Sequence, residues 1–220
     1  MVASLRPALV KPRLRGVSHQ WAFFAALALG VALVLTAPTG RATLAASIYA
    51  VAVAGLFGTS ALYHRVDWRA PSARRWMKRL DHSMIFVLIA GTYTPFALLV
   101  LHGPLAIAIL AVVWGGALSG IVLKLAWIDA PKWVSAVVYV CLGWVALAVF
   151  PQMLAGLGVT ATAMVAAGGA LYTAGAVIYA LRRPDPAPAI FGYHEVFHLL
   201  VIAAAAIQYA VVAFFVLPGA

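Results

Sequence analysis

Apolar residues run through this chain in long stretches rather than alternating, and short polar clusters punctuate them. Seven stretches approach the ~20 residues a helix needs to cross about 30 Å of hydrocarbon. They cover 20–37, 43–64, 82–101, 104–126, 133–150, 158–181 and 194–217. Breakers separate most of them: Pro38-Thr39-Gly40, the segment from Asp67 to Pro71, His102-Gly103-Pro104, Asp129-Ala130-Pro131 and Pro184-Asp185-Pro186. The pattern predicts an all-α, polytopic membrane protein: a seven-transmembrane-helix bundle over 20–220, preceded by a basic tail over 1–19. The first run is short and follows basic residues, as in a signal peptide. Membrane-type sequence resumes directly after it, so a retained helix is expected. Gly116 and Gly120, and Gly168, Gly169 and Gly175, predict close helix packing. Pro95 predicts a kink in the third span, with Thr92 and Thr94 near enough to satisfy the backbone it frees.

Composition agrees with lipid as the main solvent. Of 220 residues 65% are hydrophobic and 9% charged, with a mean hydropathy of +1.04. A soluble domain carries about 25% charged residues to cover its surface. The single cysteine, Cys141, excludes an intrachain disulfide and any Cys-based metal motif.

The net charge of +10 could signal nucleic acid, but its placement argues against that partner. Basic residues sit between the spans: Arg6, Lys11, Arg13 and Arg15 before the first; Arg65, Arg69, Arg74, Arg75, Lys78 and Arg79 in the second connection. Lys124 and Lys132 flank the fourth, and Arg182 and Arg183 the sixth. Seven spans put all of these on one side and leave Arg41 alone on the other. The positive-inside bias then predicts a cytoplasmic N-terminus and an external C-terminus.

Six histidines and five acids are the stock for metal or acid–base chemistry. His19 in the basic tail, His102 in a turn, and Asp67, Asp129 and Asp185 in connections read as solvated residues. The others gather near the cytoplasmic ends of three spans. Ser60 and His64 are four apart on one face of the second, Asp81 opens the third, and His194 and His198 are four apart at the start of the seventh. Ionisable groups within spans are costly and mark functional sites. An i, i+4 histidine pair can share a metal ion, and a third histidine from another helix would leave one tetrahedral position open. Imidazole alone does not select zinc over copper, iron or nickel. Asp81 is a candidate base toward a water at the metal, a direct ligand, or a carboxylate stabilised by a helix N-terminus. Ser60 is a candidate to hydrogen-bond the site. Glu195 and His82, about 100° from their neighbours on an ideal helix, fall outside this set, and Tyr63 reads as interfacial.

The sequence resembles the hemolysin III-like proteins, the bacterial branch of the progestin and adipoQ receptor (PAQR) family, over nearly its whole length. The resemblance rests on Ser60-Ala61-Leu62-Tyr63-His64, on Leu80-Asp81-His82-Ser83 with Gly91-Thr92-Tyr93-Thr94-Pro95-Phe96, and on His194-Glu195-Val196-Phe197-His198. It implies seven helices with a cytoplasmic N-terminus, in the bacterial inner (plasma) membrane. It also implies Zn2+ held by His64, His194 and His198, with Asp81 beside a zinc-activated water and Ser60 one turn before the first ligand. Membrane lipids are the expected partners. The leading expectation is a zinc-dependent, ceramidase-like hydrolase of a lipid amide or ester bond. The alternative is a non-enzymatic membrane-homeostasis, sensor or cytolytic protein with a structural zinc. A transporter ranks below both, because no internal repeat is evident.

Overall fold

In a computed structural model, which describes residues 11–220, helices account for most of those residues. They are α1 (Val17–Leu35), α2 (Gly40–Arg65), α3 (Pro71–Leu99), α4 (Gly103–Ala126), α5 (Lys132–Gly143), α6 (Phe150–Leu181) and α7 (Tyr193–Val211). A 3-10 turn, Trp144–Val149, joins α5 to α6, and a π turn and a 3-10 turn carry α7 on to Gly219. Among the described residues no strand forms; Ala187 and Phe191 make one isolated bridge. The basic tail lies partly outside the described residues, Arg6 included.

Among the described residues six helical stretches are long and apolar enough to cross a membrane, where the hydropathy pattern predicts seven spans. The difference lies in Lys132–Leu181, a continuous apolar stretch of 50 residues. Drawn straight it would measure about 75 Å at the α-helical rise. It does not run straight. Gly158 stands at φ 78°, ψ 177°, which removes it from any helix. Trp144 Nε1–H donates to Thr173 Oγ1 at 2.9 Å, so the two halves lie side by side around that glycine.

Several helices start earlier than the hydropathy pattern predicts, and in α1 and α3 this changes the place of a polar residue. Pro71 occupies the first turn of α3, where its missing N–H costs nothing, and the basic residues through Arg79 continue the helix. Asp81 is therefore well inside α3. This corrects the helix-terminus reading of that carboxylate. Similarly, α1 begins at Val17, so His19 is a helical residue rather than part of a tail.

Small residues set the packing. One face of α2 buries Ala42, Ala45, Ala46, Tyr49, Ala52 and Leu56, and the same stripe continues into Ser60 and His64. The glycines of α4 and α6 act as sockets for large side chains: Gly116 faces Leu142, Gly120 faces Phe86, Gly168 faces Gln208 and Gly175 faces Phe197. Thr92 and Thr94 behave differently from the prediction. Their hydroxyls donate to the carbonyls of Leu88 at 2.7 Å and Ala90 at 2.9 Å, whereas Pro95 frees that of Gly91. Outward faces are apolar, with Trp21, Phe24, Val51, Ile107 and Leu118 exposed, as lipid solvation requires.

The basic connections meet at one end of the bundle. Arg79 Nε–H donates to the Leu125 carbonyl at 3.1 Å, Lys132 Nζ to the Tyr193 hydroxyl at 2.6 Å, and Arg65 Nε–H to Gln20 Oε1 at 3.2 Å. The far end is closed by apolar packing that includes Leu101, Val149 and Leu217.

Candidate functional site

Two helices bring the predicted histidines together at the basic end. His64 comes from the last turn of α2, and His194 and His198 from the first turns of α7. All three are buried, and a ring nitrogen from each lies within 4.8 Å of the others. The rings meet at angles instead of stacking, with centroids 4.8 Å (His64–His194), 4.6 Å (His194–His198) and 5.3 Å (His64–His198) apart. His64 Nε2 and His198 Nδ1 are buried without any hydrogen-bond partner. Buried polar atoms are almost always satisfied, so these two fit coordination to a metal ion. Tetrahedral ligands at about 2.0–2.1 Å from a metal stand roughly 3.4 Å apart, within reach of small ring movements from this arrangement.

Asp81 joins them from α3. Its Oδ2 is 4.0 Å from His64 Nε2, and the side chain is only 12% exposed. The same oxygen is 3.6 Å from His82 Nδ1, so His82 also belongs to the site, although helical rotation predicted otherwise. His82 Nδ1–H donates to the Lys78 carbonyl at 2.8 Å, which leaves Nε2 to accept from the Tyr179 hydroxyl at 3.3 Å. Lys78 in turn contacts Asp129 in the connection after α4, where the ammonium holds that exposed carboxyl below the usual carboxylate range. Asp67, His102 and Asp185 are exposed, as predicted.

His19 is the residue that sequence reasoning missed. It is 3% exposed and stacks on His198, with centroids 3.7 Å apart and planes 8° from parallel. Its Nδ1 is 2.8 Å from Ser60 Oγ. Ser60 thus reaches the cluster through His19. A lone histidine beside basic residues looks solvated; the available signal was its place at the head of an uninterrupted apolar run.

Glu195, also left out of the predicted set, is 1% exposed. It forms an ion pair with Arg15, and its Oε2 accepts from the Gly192 N–H at 2.8 Å at the start of α7. The segment before α1 is strapped across this end, its Arg13 and Leu14 N–H groups each donating at 3.0 Å to the carbonyls of Ala189 and Ile190. Gly16 completes the strap at φ 79°, where an added Cβ would meet His64 Cβ at 2.5 Å. Only glycine serves there.

From the histidines an apolar cavity of about 160 Å³ runs into the bundle. His19, Ser60, Asp81, His194 and His198 line its head, and Ile85, Tyr93, Phe96 and Met153 its deeper wall. From Asp81 to Phe96 the α3 axis alone covers about 22 Å.

These features define a multi-pass helical membrane protein with a buried, cavity-facing histidine cluster that can hold a metal ion. Residues 8–209 match the Haemolysin-III related family, and the chain belongs to it. It is 32% identical over 182 residues to "Hemolysin-3" of Bacillus cereus, covering 83% of this chain and 80% of the relative. To the "Hemolysin-3 homolog" of Bacillus subtilis (strain 168) it is 31% identical, covering 77% and 76%. The human "Monocyte to macrophage differentiation factor" is 27% identical over 165 residues, 74% of this chain and 66% of that protein. The last similarity supports the expected relation to the progestin and adipoQ receptor group.

Proposed function

We propose that this chain is a zinc protein of the bacterial inner membrane that hydrolyses an amide or ester bond of a lipid. The observation that carries the reading is one convergence. Three buried histidines, two with orphaned nitrogens, meet a carboxylate at the head of an apolar cavity.

His64, His194 and His198 would hold the ion. When bound, zinc supplies Lewis acidity, polarising a carbonyl and lowering the pKa of a water to about 7. Asp81 is the general base: its carboxylate takes the proton of the attacking water and returns it to the leaving group. Ser60 holds His19 flat against His198 and so fixes that ring. The cavity wall receives the acyl chain and keeps bulk water away from the scissile bond.

Topology follows the same reading. The fold-back at Gly158 divides Lys132–Leu181 into two passes, for seven in all. An odd count agrees with the strap lying at the histidine end and Leu217 at the far end. The basic end faces the cytoplasm, which puts the N-terminus inside and the C-terminus outside.

The test is elemental analysis of the purified protein beside His64→Ala and His194→Ala/His198→Ala, followed by product analysis on labelled ceramides and phospholipids. One zinc per chain in the wild type alone, together with lipid cleavage, is expected. A folded but metal-free wild type would sink the zinc site. Zinc without cleavage of any lipid favours the second reading, a non-enzymatic protein whose metal ties α2 to α7. The printed names of the Bacillus relatives keep a cytolytic role within that alternative.

A further inference from the structure

A second cavity, of about 250 Å³, opens at the basic end of the bundle, and four cations from four elements line it. They are Lys78 of α3, Lys124 of α4, Lys132 of α5 and Arg182 after α6. Among the described residues Asp129 is the one acid on its wall, and residues 1–10 contain no acid. Asp129 is already committed: its side chain is 78% exposed and lies 2.8 Å from Lys78 Nζ.

Among the described residues, the lysines of α4 and α5 meet only hydroxyls and ring faces. Lys124 is 1% exposed, and its ammonium donates to Ser135 Oγ. Lys132 Nζ donates to the Tyr193 hydroxyl and sits 4.3 Å over the Tyr179 ring and 4.6 Å over that of Tyr193. An ammonium has three donors, so Lys124 keeps bonding capacity that its one hydroxyl partner does not use. A buried charge is costly unless it is paired. Placement at helix C-termini favours a cation on α4 and another after α6. It does not explain why these converge on one cavity with the lysines of α3 and α5.

We propose that this cavity binds a phosphate group, supplied either by the headgroup of an anionic lipid or by free phosphate. A phosphate offers several acceptor oxygens to donors arriving from different helices, and both lysine and arginine bind it well. The cavity also sits where spans meet the basic connections, the depth at which basic pockets between helices take anionic headgroups. His82 and Tyr179 line both cavities, so a phosphate bound here stands beside the apolar one. Simultaneous filling of both by one phospholipid rests on the lipid reading above; phosphate binding does not.

The test uses the full chain, delipidated in nonionic detergent, with dioleoylphosphatidic acid, dioleoylglycerol and inorganic phosphate as probes. Thermal unfolding and native mass spectrometry read binding directly, without turnover. Phosphatidic acid is expected to bind one per chain and raise the melting temperature, while dioleoylglycerol, with the same chains and no phosphate, does not. Lys132→Met and Arg182→Gln should each weaken phosphate binding about tenfold, the loss of one charge-assisted bond. Arg182 is exposed, so its variant stays informative even if Lys124→Met does not fold. Protection by inorganic phosphate that is lost in the same variants assigns the free anion as the source. Protection by phosphatidic acid alone assigns the headgroup. No binding of either phosphatidic acid or inorganic phosphate beyond that of dioleoylglycerol, or binding unchanged in Lys132→Met and Arg182→Gln, overturns the proposal. A protein that binds phosphate but cleaves no lipid leaves this inference standing and removes only the hydrolase.

Discussion

The two ends of the bundle are built on opposite principles. At the far end Leu101, Val149, Ile109 and Leu217 fill space with apolar packing. At the basic end buried histidines, Glu195, Lys124 and hydroxyls make polar contacts through α1, α2, α4, α5 and α7, although desolvating them is expensive. Packing alone would have been served by leucines at both ends. The concentration of polar cost at one end is the physical mark of a site, and substitutions should separate the two ends cleanly.

The largest effect belongs to Asp81→Asn. If the carboxylate is the base, lipid cleavage falls by about 10²–10⁴-fold while zinc content and melting temperature hold. Retained turnover would remove Asp81 from the chemistry. Removing the metal by chelation should lower the melting temperature of the wild type and leave His64→Ala unmoved, as scanning fluorimetry would show. At the far end, Ile109→Ala should cost roughly 2–5 kcal/mol of stability through the cavity it leaves. Its zinc content and its turnover per folded molecule should stay at the wild-type level. His19→Ala is expected to weaken zinc affinity by about 10–100-fold through the loss of ring support, measured by competition with a chelator. An unchanged affinity would make His19 a packing residue.

The smallest effect is expected at Asp129. Its carboxyl is held below the usual range by Lys78, so the pair's contribution is present above the unfolded-state pKa of about 3.9 and is lost as pH falls through the native value. Because the group is exposed, Asp129→Asn should shift melting at pH 7 by no more than about a degree. A larger shift would mean that the basic cavity depends on this pair.

Much of the bundle was legible because hydropathy measures what lipid demands. The early starts of α1 and α3 were not, because polar residues (Ser18 and His19 in α1, Arg74 to Arg79 in α3) lengthen a helix without adding to an apolar run. Asp81 consequently looked like a helix terminus, and His19 like part of a tail. The cluster of His64, His194 and His198 could be anticipated from spacing and family resemblance. The positions of His82 and Glu195 could not, since whether a side chain turned by 100° meets a neighbour depends on which helix stands there. Ser60's partner was hidden for the same reason: the contact spans 41 residues.

The strap has a consequence for the order of synthesis. Arg13 and Leu14 leave the ribosome long before their partners Ala189 and Ile190 and the two histidines of α7. Until then His64 waits alone. A chain stopped before Ala189 carries one histidine of the three and lacks the carbonyls that Arg13 and Leu14 bond. The protein therefore acquires its site in one step, when α7 arrives with two of the histidines and with the Phe197 and Val201 part of the cavity wall.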